Sequence, residues 1–266
     1  MKTTNLSHIR YEVCDVDGVL MPYERHTEGR DGFVRVCTDA NIRAVRNHLP
    51  NLDKEKAIAL SHKSYKKYSD PITAFRKAAE KAGHNWEELK FVINRDYHSI
   101  LFENLPPEYF TPDSDLVSAI KSVRESGYDG ALASHSCRKN WLTPAFNING
   151  MGDLFDPEHR LGMEELVVPK QNCGKFLHRI SDKAGVPISQ MAFLEDTLRN
   201  LVQAKRDCPD TVEQRGITSI YINPDPLDPD DPGFQYVDAQ FPTATHFYRQ
   251  WKHDLDDIRP NLEFIV

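Results

Sequence analysis

Two hydrophobic rhythms divide the chain. Residues 9–16, "IRYEVCDV", are rich in β-branched and aromatic side chains and run into an Asp-Gly turn signal, which predicts a strand followed by a loop. From about Asn41 to Ile120 the apolar positions recur three and four apart, as in "NIRAVRNHL", "AFRKAAEKAG" and "WEELKFVINRDYHSIL", with breaks at Pro50, Pro71 and Pro106-Pro107. This stretch is predicted to be all helical. "TPDSDLVSAIKSVRESG" adds a helix with Thr111 or Asp113 as N-cap and Gly127 as its stop. Strands and helices then alternate: strand "YDGALAS" at 128–134, a helix near 138–148, strand "ELVVP" at 165–169, helix "GKFLHRISDKAG" at 174–185, strand "MAFLE" at 191–195, helix "LRNLVQAKRD" at 198–207 and strand "TSIYIN" at 218–223.

Strands separated by helices of this length predict right-handed βαβ units, hence an α/β, Rossmann-like core with a parallel sheet covered by helices on both faces. The helical stretch interrupts this core just after the first strand. It is predicted to be an inserted all-helical unit at 23–110, with the core formed by 1–22 and 111–266. The acidic, proline-rich run "NPDPLDPDDPGF" at 223–234 lacks the ligand spacing of an EF-hand at Asp225, Asp228, Asp230 and Asp231, and reads as a solvated loop.

Composition narrows the partners. With 266 residues, 39% of them hydrophobic, the chain can bury a full core. A net charge of −7, with lysines and arginines scattered along the chain, disfavours a nucleic-acid polymer as partner but leaves room for a small anion at a local site. No run approaches the apolar length of a membrane span, and "MKTTNLSHIR" has no apolar signal core, so neither membrane nor export is expected. Cysteines at 14, 37, 137, 173 and 208 are odd in number and contain no CxxC pair, which fits a reducing cytoplasm rather than a disulfide framework or zinc site.

The candidate chemistry gathers at predicted strand ends. Asp15 and Asp17 are two positions apart on an extended strand, so both can face one crevice at its carboxyl end, where open α/β sheets bind ligands. Their mutual repulsion calls for a hard cation such as Mg2+. Ser134 closes the second strand and can donate to a phosphate oxygen; Lys170 follows "ELVVP" and can neutralise a phosphoryl group; Glu195 and Asp196, in "FLEDT", follow another strand directly. A turn, an N-cap, a surface lysine and a second cap would account for these one at a time. Four such endings on one sheet point to a shared site.

Asp-x-Asp-Gly-Val-Leu, then a strand ending in Ser, then Lys, then Glu-Asp-Thr, resembles the four-motif order of the haloacid dehalogenase-like (HAD) hydrolases along nearly the whole chain. The inserted helical block resembles the helical cap of that superfamily. "DVDGVLMPYE", "YKKYSDPITAF", "DYHSIL", "GMGDLFD" and "FLEDTLRNL", with Asn200 in the last, are similar to the pyrimidine 5'-nucleotidase subgroup. Gly18-Val19 stands where that subgroup has Asn-Thr, and Ser134-His135 where it has Thr-Asn.

The resemblance implies a Mg2+-dependent phosphatase acting on a small phosphorylated metabolite, with a nucleoside 5'-monophosphate as first expectation. It implies Asp15 as nucleophile forming an aspartyl-phosphate, and Asp17 as general acid and then base. Asp15, the backbone carbonyl of Asp17, Asp196 and Glu195 would hold Mg2+. Ser134 and Lys170 would bind phosphoryl oxygens, with His135 beside them in place of the usual amide. A dehalogenase is disfavoured by Asp17, because a halide leaves without a proton. A phosphosugar mutase or phosphatase of the same superfamily, or a non-catalytic protein-binding relative, remains as an alternative.

Substrate selection would fall to the helical block, where Tyr65, Arg95, Tyr97 and His98 are candidates to contact a base or sugar, although such residues more often serve packing. His62 and His84 lack metal-ligand partners, and Trp86, Trp141 and Trp251 read as core or interface anchors.

Overall fold

The computed structural model describes residues 4–68, 70–166, 173–212 and 215–262. Strands β1 (Tyr11–Cys14), β2 (Asp129–Ala133), β3 (Arg160–Leu161), β4 (Met191–Glu195), β5 (Thr218–Ile222) and β6 (Ala239–Phe241) form one parallel sheet in the order β3-β2-β1-β4-β5-β6. Val13 of β1 stands opposite Ala131 of β2 on one side and Phe193 of β4 on the other. The chain leaves the sheet in opposite directions on the two sides of β1, and this opens a crevice at the carboxyl end of that strand.

All four residues of β1 are buried, as a central parallel strand covered on both faces requires. Tyr11 and Val13 pack with Phe176, Leu177 and Ile180 of helix α8 (Cys173–Ala184) and with Leu201 and Ala204 of α9 (Leu198–Asp207). Cys14 belongs to the core of the opposite face, with helices α5 (Ser114–Glu125) and α10 (Ala244–Leu262). Every described element between β1 and α5 is helical, with α1 (Gly29–His48), α2 (Lys54–Tyr68), α3 (Arg76–Lys81) and α4 (Trp86–Asn104) as the main pieces. No helix among the described residues is long and apolar enough to cross a membrane.

One local alternative is resolved and other local expectations are corrected or refined. Asp113, not Thr111, caps α5: its Oδ1 accepts from the N–H groups of Asp115 and Leu116 at 3.1 and 2.9 Å. The strand expected at 165–169 does not begin there, because Met163–Leu166 form a helical turn, α7; the rest of that run lies outside the described residues. The edge position beside β2 is taken by β3, two residues long and too short to show a period. The helix near 138–148 opens with a wide π-turn at Arg138–Leu142 before α6 (Thr143–Ile148). Pro144 has no N–H to bond Asn140, and Leu142 N–H instead reaches the Cys137 carbonyl at 3.2 Å.

Glu12, on the central strand, is fully buried. Two side chains answer its charge: the Arg124 guanidinium, which pairs with both carboxylate oxygens, and the Tyr248 hydroxyl, which donates at 3.0 Å. Removing one partner of a buried pair leaves an uncompensated charge, at a cost of about 3–5 kcal/mol. Arg124→Met is therefore expected to lose about that much in urea denaturation, and Glu12→Gln added to it to recover part of the loss. Equal stability of wild type and Arg124→Met would refute this account of the strand.

Candidate active site

The crevice at the end of β1 brings together five of the predicted strand-end residues, Asp15, Asp17, Ser134, Glu195 and Asp196. Asp15 directly follows β1; its N–H continues the ladder to the Leu194 carbonyl at 2.9 Å, and its Oδ1 accepts from Val16 N–H at 2.8 Å. The chain then turns tightly, with Gly18 N–H bonded to the Met21 carbonyl at 3.0 Å and Gly18 at φ +86°. A Cβ at Gly18 would also overlap the Asp196 carboxylate and the Tyr23 ring. Glycine is needed here both for the turn and for the close approach of the two motifs.

Glu195 ends β4, fully buried, and Asp196 follows half-buried. Thr197 occupies the N-cap position of α9 without a side-chain cap bond. Glu195 accepts from Thr197 N–H and Asn200 Nδ2, both at 3.1 Å, which fixes its carboxylate. Carboxylate oxygens of Asp15, Glu195 and Asp196 lie within 4.8 Å of one another, the one group of three or more potential metal ligands among the described residues. Like charges this close, two of them buried, require a cation or protons. An all-oxygen donor set of this kind suits a hard ion such as Mg2+. The acidic loop at 223–234 forms no such group; Asp228 and Asp231 instead accept from the N–H groups of Asp230 and Gly233 at 2.9 and 2.7 Å.

The Asp17 side chain is held apart from this group. Ser136 Oγ donates to its Oδ2 at 2.8 Å, and Trp141 Nε1 donates to its Oδ1 at 3.0 Å. The Asp17 carbonyl accepts from the Tyr23 hydroxyl at 3.2 Å. Loss of hydration, and then the charges of Asp196, Asp17 and Asp15, push the Tyr23 pKa far up, so the hydroxyl keeps its proton. Sequence reasoning missed Ser136 and placed Trp141 among core anchors. Trp141 is indeed fully buried, but a buried indole N–H seeks an acceptor, and that requirement was the available signal.

Ser134 is buried at the end of β2, and its Oγ accepts from Ser136 N–H at 3.0 Å. Ser134 and His135 both line the crevice. Lys170 lies outside the described residues.

Above the strand ends is a cavity of about 640 Å³. Its floor includes Asp15, Asp17, Ser134 and Asp196. One wall is a single face of α1 running from Arg30 through Phe33, Val34 and Cys37 to Thr38; α2 contributes His62, Tyr65 and Lys66, and α4 contributes Tyr97, His98 and Leu101. Of the candidate substrate contacts, Tyr65, Tyr97 and His98 reach the cavity, and the Tyr65 and Tyr97 hydroxyls meet at 3.2 Å. Arg95 does not; it is exposed and pairs with Asp96. His98 is buried, its Nδ1 lies 2.8 Å from the Asn94 carbonyl, and desolvation lowers its pKa to about 4. A carbonyl only accepts, so Nδ1 carries the proton and the ring is neutral. His62, given no role by the sequence, lines the same space, whereas His84 does not.

No family model matches the chain, and no curated protein matches it in sequence. Solved structures do match it in fold. A β-phosphoglucomutase from Clostridium difficile superposes with a TM-score of 0.57 at 14% identity, over 94% of this chain and 100% of that one. The fold is haloacid dehalogenase-like. A predicted phosphoglycolate phosphatase from Haemophilus somnus (TM-score 0.54, 15% identity, 91% of this chain and 97% of that one) and an L-2-haloacid dehalogenase (0.52, 19%, 91% and 97%) share it. These haloacid dehalogenase-like neighbours carry different chemistries, so the choice among them rests on the residues of the crevice.

Proposed function

We propose that the protein is a Mg2+-dependent phosphomonoester hydrolase that works through an aspartyl-phosphate on Asp15. The observation that carries this reading is the division of labour among the carboxylates: Asp15, Glu195 and Asp196 converge, while Asp17 is turned aside onto Ser136 and Trp141. Phosphoryl transfer to a carboxylate needs charge neutralised at the phosphoryl group and a proton delivered to the leaving oxygen. The convergent acids would hold Mg2+, joined by the Asp17 carbonyl; when bound, the ion neutralises the phosphoryl oxygens and orients them.

Asp15 attacks phosphorus as its bond to the leaving oxygen breaks, and Asp17 gives that oxygen a proton. Asp17, now ionised, takes a proton from water, which attacks the phosphorus of the acyl phosphate. The P–O bond to Asp15 breaks, inorganic phosphate leaves and both carboxyls return to their starting states. The Ser134 hydroxyl and the Lys170 ammonium bind phosphoryl oxygens in this scheme, with His135 beside them. The alcohol part of the substrate occupies the cavity between α1, α2 and α4.

A nucleoside 5'-monophosphate and a sugar phosphate both suit such a space, the first through the sequence resemblance, the second through the mutase-like fold neighbour. Purified protein is expected to release phosphate from p-nitrophenyl phosphate with Mg2+ and to stop on chelation, and a panel of nucleoside and sugar phosphates then ranks substrates. A sugar phosphate isomerised without phosphate release would mark a mutase. Failure on every ester in the presence of Mg2+ would overturn the hydrolase reading.

A further inference from the structure

The cavity is segregated by charge. Among the described residues, the carboxylates on its lining come from the strand ends, as Asp15, Asp17 and Asp196, and the permanent cations, Arg30 and Lys66, from helices α1 and α2. The rest of the helical wall is largely aromatic and apolar, with Phe33, Tyr65 and Leu101 among its members. Neighbouring cations of the helical segment are engaged: Arg25 with Asp113, Arg35 with Glu28, Arg76 with Glu80. Arg30 and Lys66 make no ion pair among the described residues. Arg30 packs over the Tyr23 ring, its guanidinium 5.3 Å from the ring centre, which orders it at the cavity without consuming its charge. Lys66 lines the cavity with His62, four positions earlier on the same face of α2, and with Tyr65, while Lys63 and Lys67 are not on the lining.

A phosphoryl group at the floor meets the Mg2+ ligands there and leaves the helical cations without a counter-charge. We infer that the leaving group of the substrate carries a second anionic group, a carboxylate or a second phosphate, received by Arg30 and Lys66, with an uncharged spacer lying along Phe33 and Tyr65. This rests on the phosphomonoesterase reading and narrows its substrate class. Nucleoside and sugar monophosphates without a second negative charge become secondary substrates.

Two cations on a cavity wall also raise the arrival rate of any anion, and the test must separate steering from seating. Non-hydrolysable phosphonates do so without turnover. ω-Carboxyalkylphosphonates and alkane-α,ω-diphosphonates of increasing length are titrated into the Mg2+-loaded protein by calorimetry at physiological ionic strength, against alkylphosphonates of equal length. The expected result is a preference of at least about tenfold for one doubly anionic series at a preferred length. The better series says whether the second group is carboxylate or phosphate. The preference should fall toward one in Arg30→Gln/Lys66→Gln and survive in Lys63→Gln. Equal affinities for charged and uncharged partners in the wild type would overturn the inference, as would a double variant that weakens both by the same factor. A clear preference in binding, with no ester hydrolysed, would uphold the second-anion site and sink the hydrolase reading alone.

Discussion

Asp15→Asn is expected to lose turnover of every phosphate ester by about 10⁴-fold or more, equivalent to about 5.5 kcal/mol of transition-state stabilisation. The amide that replaces the carboxylate offers phosphorus no anionic oxygen, so the phosphoenzyme cannot form. The shape of the site survives the change. The backbone N–H at 15 still reaches the Leu194 carbonyl, and the amide oxygen can accept from Val16 N–H as Oδ1 does now. Circular dichroism should therefore match the wild type. Stability should respond in a direction that a general loss of structure would not produce. The substitution removes one of three negative charges gathered within 4.8 Å, so without metal the variant is expected to melt no lower than the wild type. The thermal shift on adding Mg2+, large for the wild type because the ion binds only the folded chain, should shrink. Turnover persisting near the wild-type rate would sink the assignment of Asp15, and an unstable apo variant would show that the carboxylate serves packing instead.

The parts of the fold legible in the sequence are those with a strong period. The cores of β1, β2, β4 and β5 were readable as buried apolar runs, and α8 and α9 as helices with one apolar face. Two- and three-residue edge strands such as β3 and β6 have no room for a period. Helix α1 begins at Gly29 rather than near Asn41, because the polar and charged residues among Phe33, Cys37 and Ala40 hide the apolar row. Asp15, Ser134, Glu195 and Asp196 were readable for a different reason: a short apolar run ending abruptly in a polar side chain marks a strand end, and parallel strands bring their ends together. Ser136 and Trp141 were not, because their partner Asp17 is more than a hundred positions away and only the loop path after β2 brings them to it. The cavity wall failed for the same reason. Arg30, Phe33, Val34, Cys37 and Thr38 form one helical face in the sequence, but what that face looks onto is decided by tertiary packing.

Asp17→Asn is expected to divide substrates by their leaving groups. With an alkyl phosphate, the leaving alkoxide needs a proton as it departs, and losing the positioned acid should cost about 10³-fold in kcat. With p-nitrophenyl phosphate the leaving phenolate departs without help. The first step should survive within about tenfold, while hydrolysis of the aspartyl-phosphate, which needs Asp17 as base, should stall. Rapid mixing is then expected to show a burst of p-nitrophenolate, one equivalent per active site, followed by slow turnover; no burst should appear with the alkyl ester. The local geometry permits this reading, since Trp141 Nε1 can only donate and will hold the amide oxygen, and the amide N–H can turn to Ser136 Oγ, which accepts as well as donates. A site merely loosened by the substitution would slow both esters alike and give no burst. Equal losses on the two esters would therefore remove Asp17 from the proton transfer and leave it as a residue that only holds Ser136 and Trp141 in place.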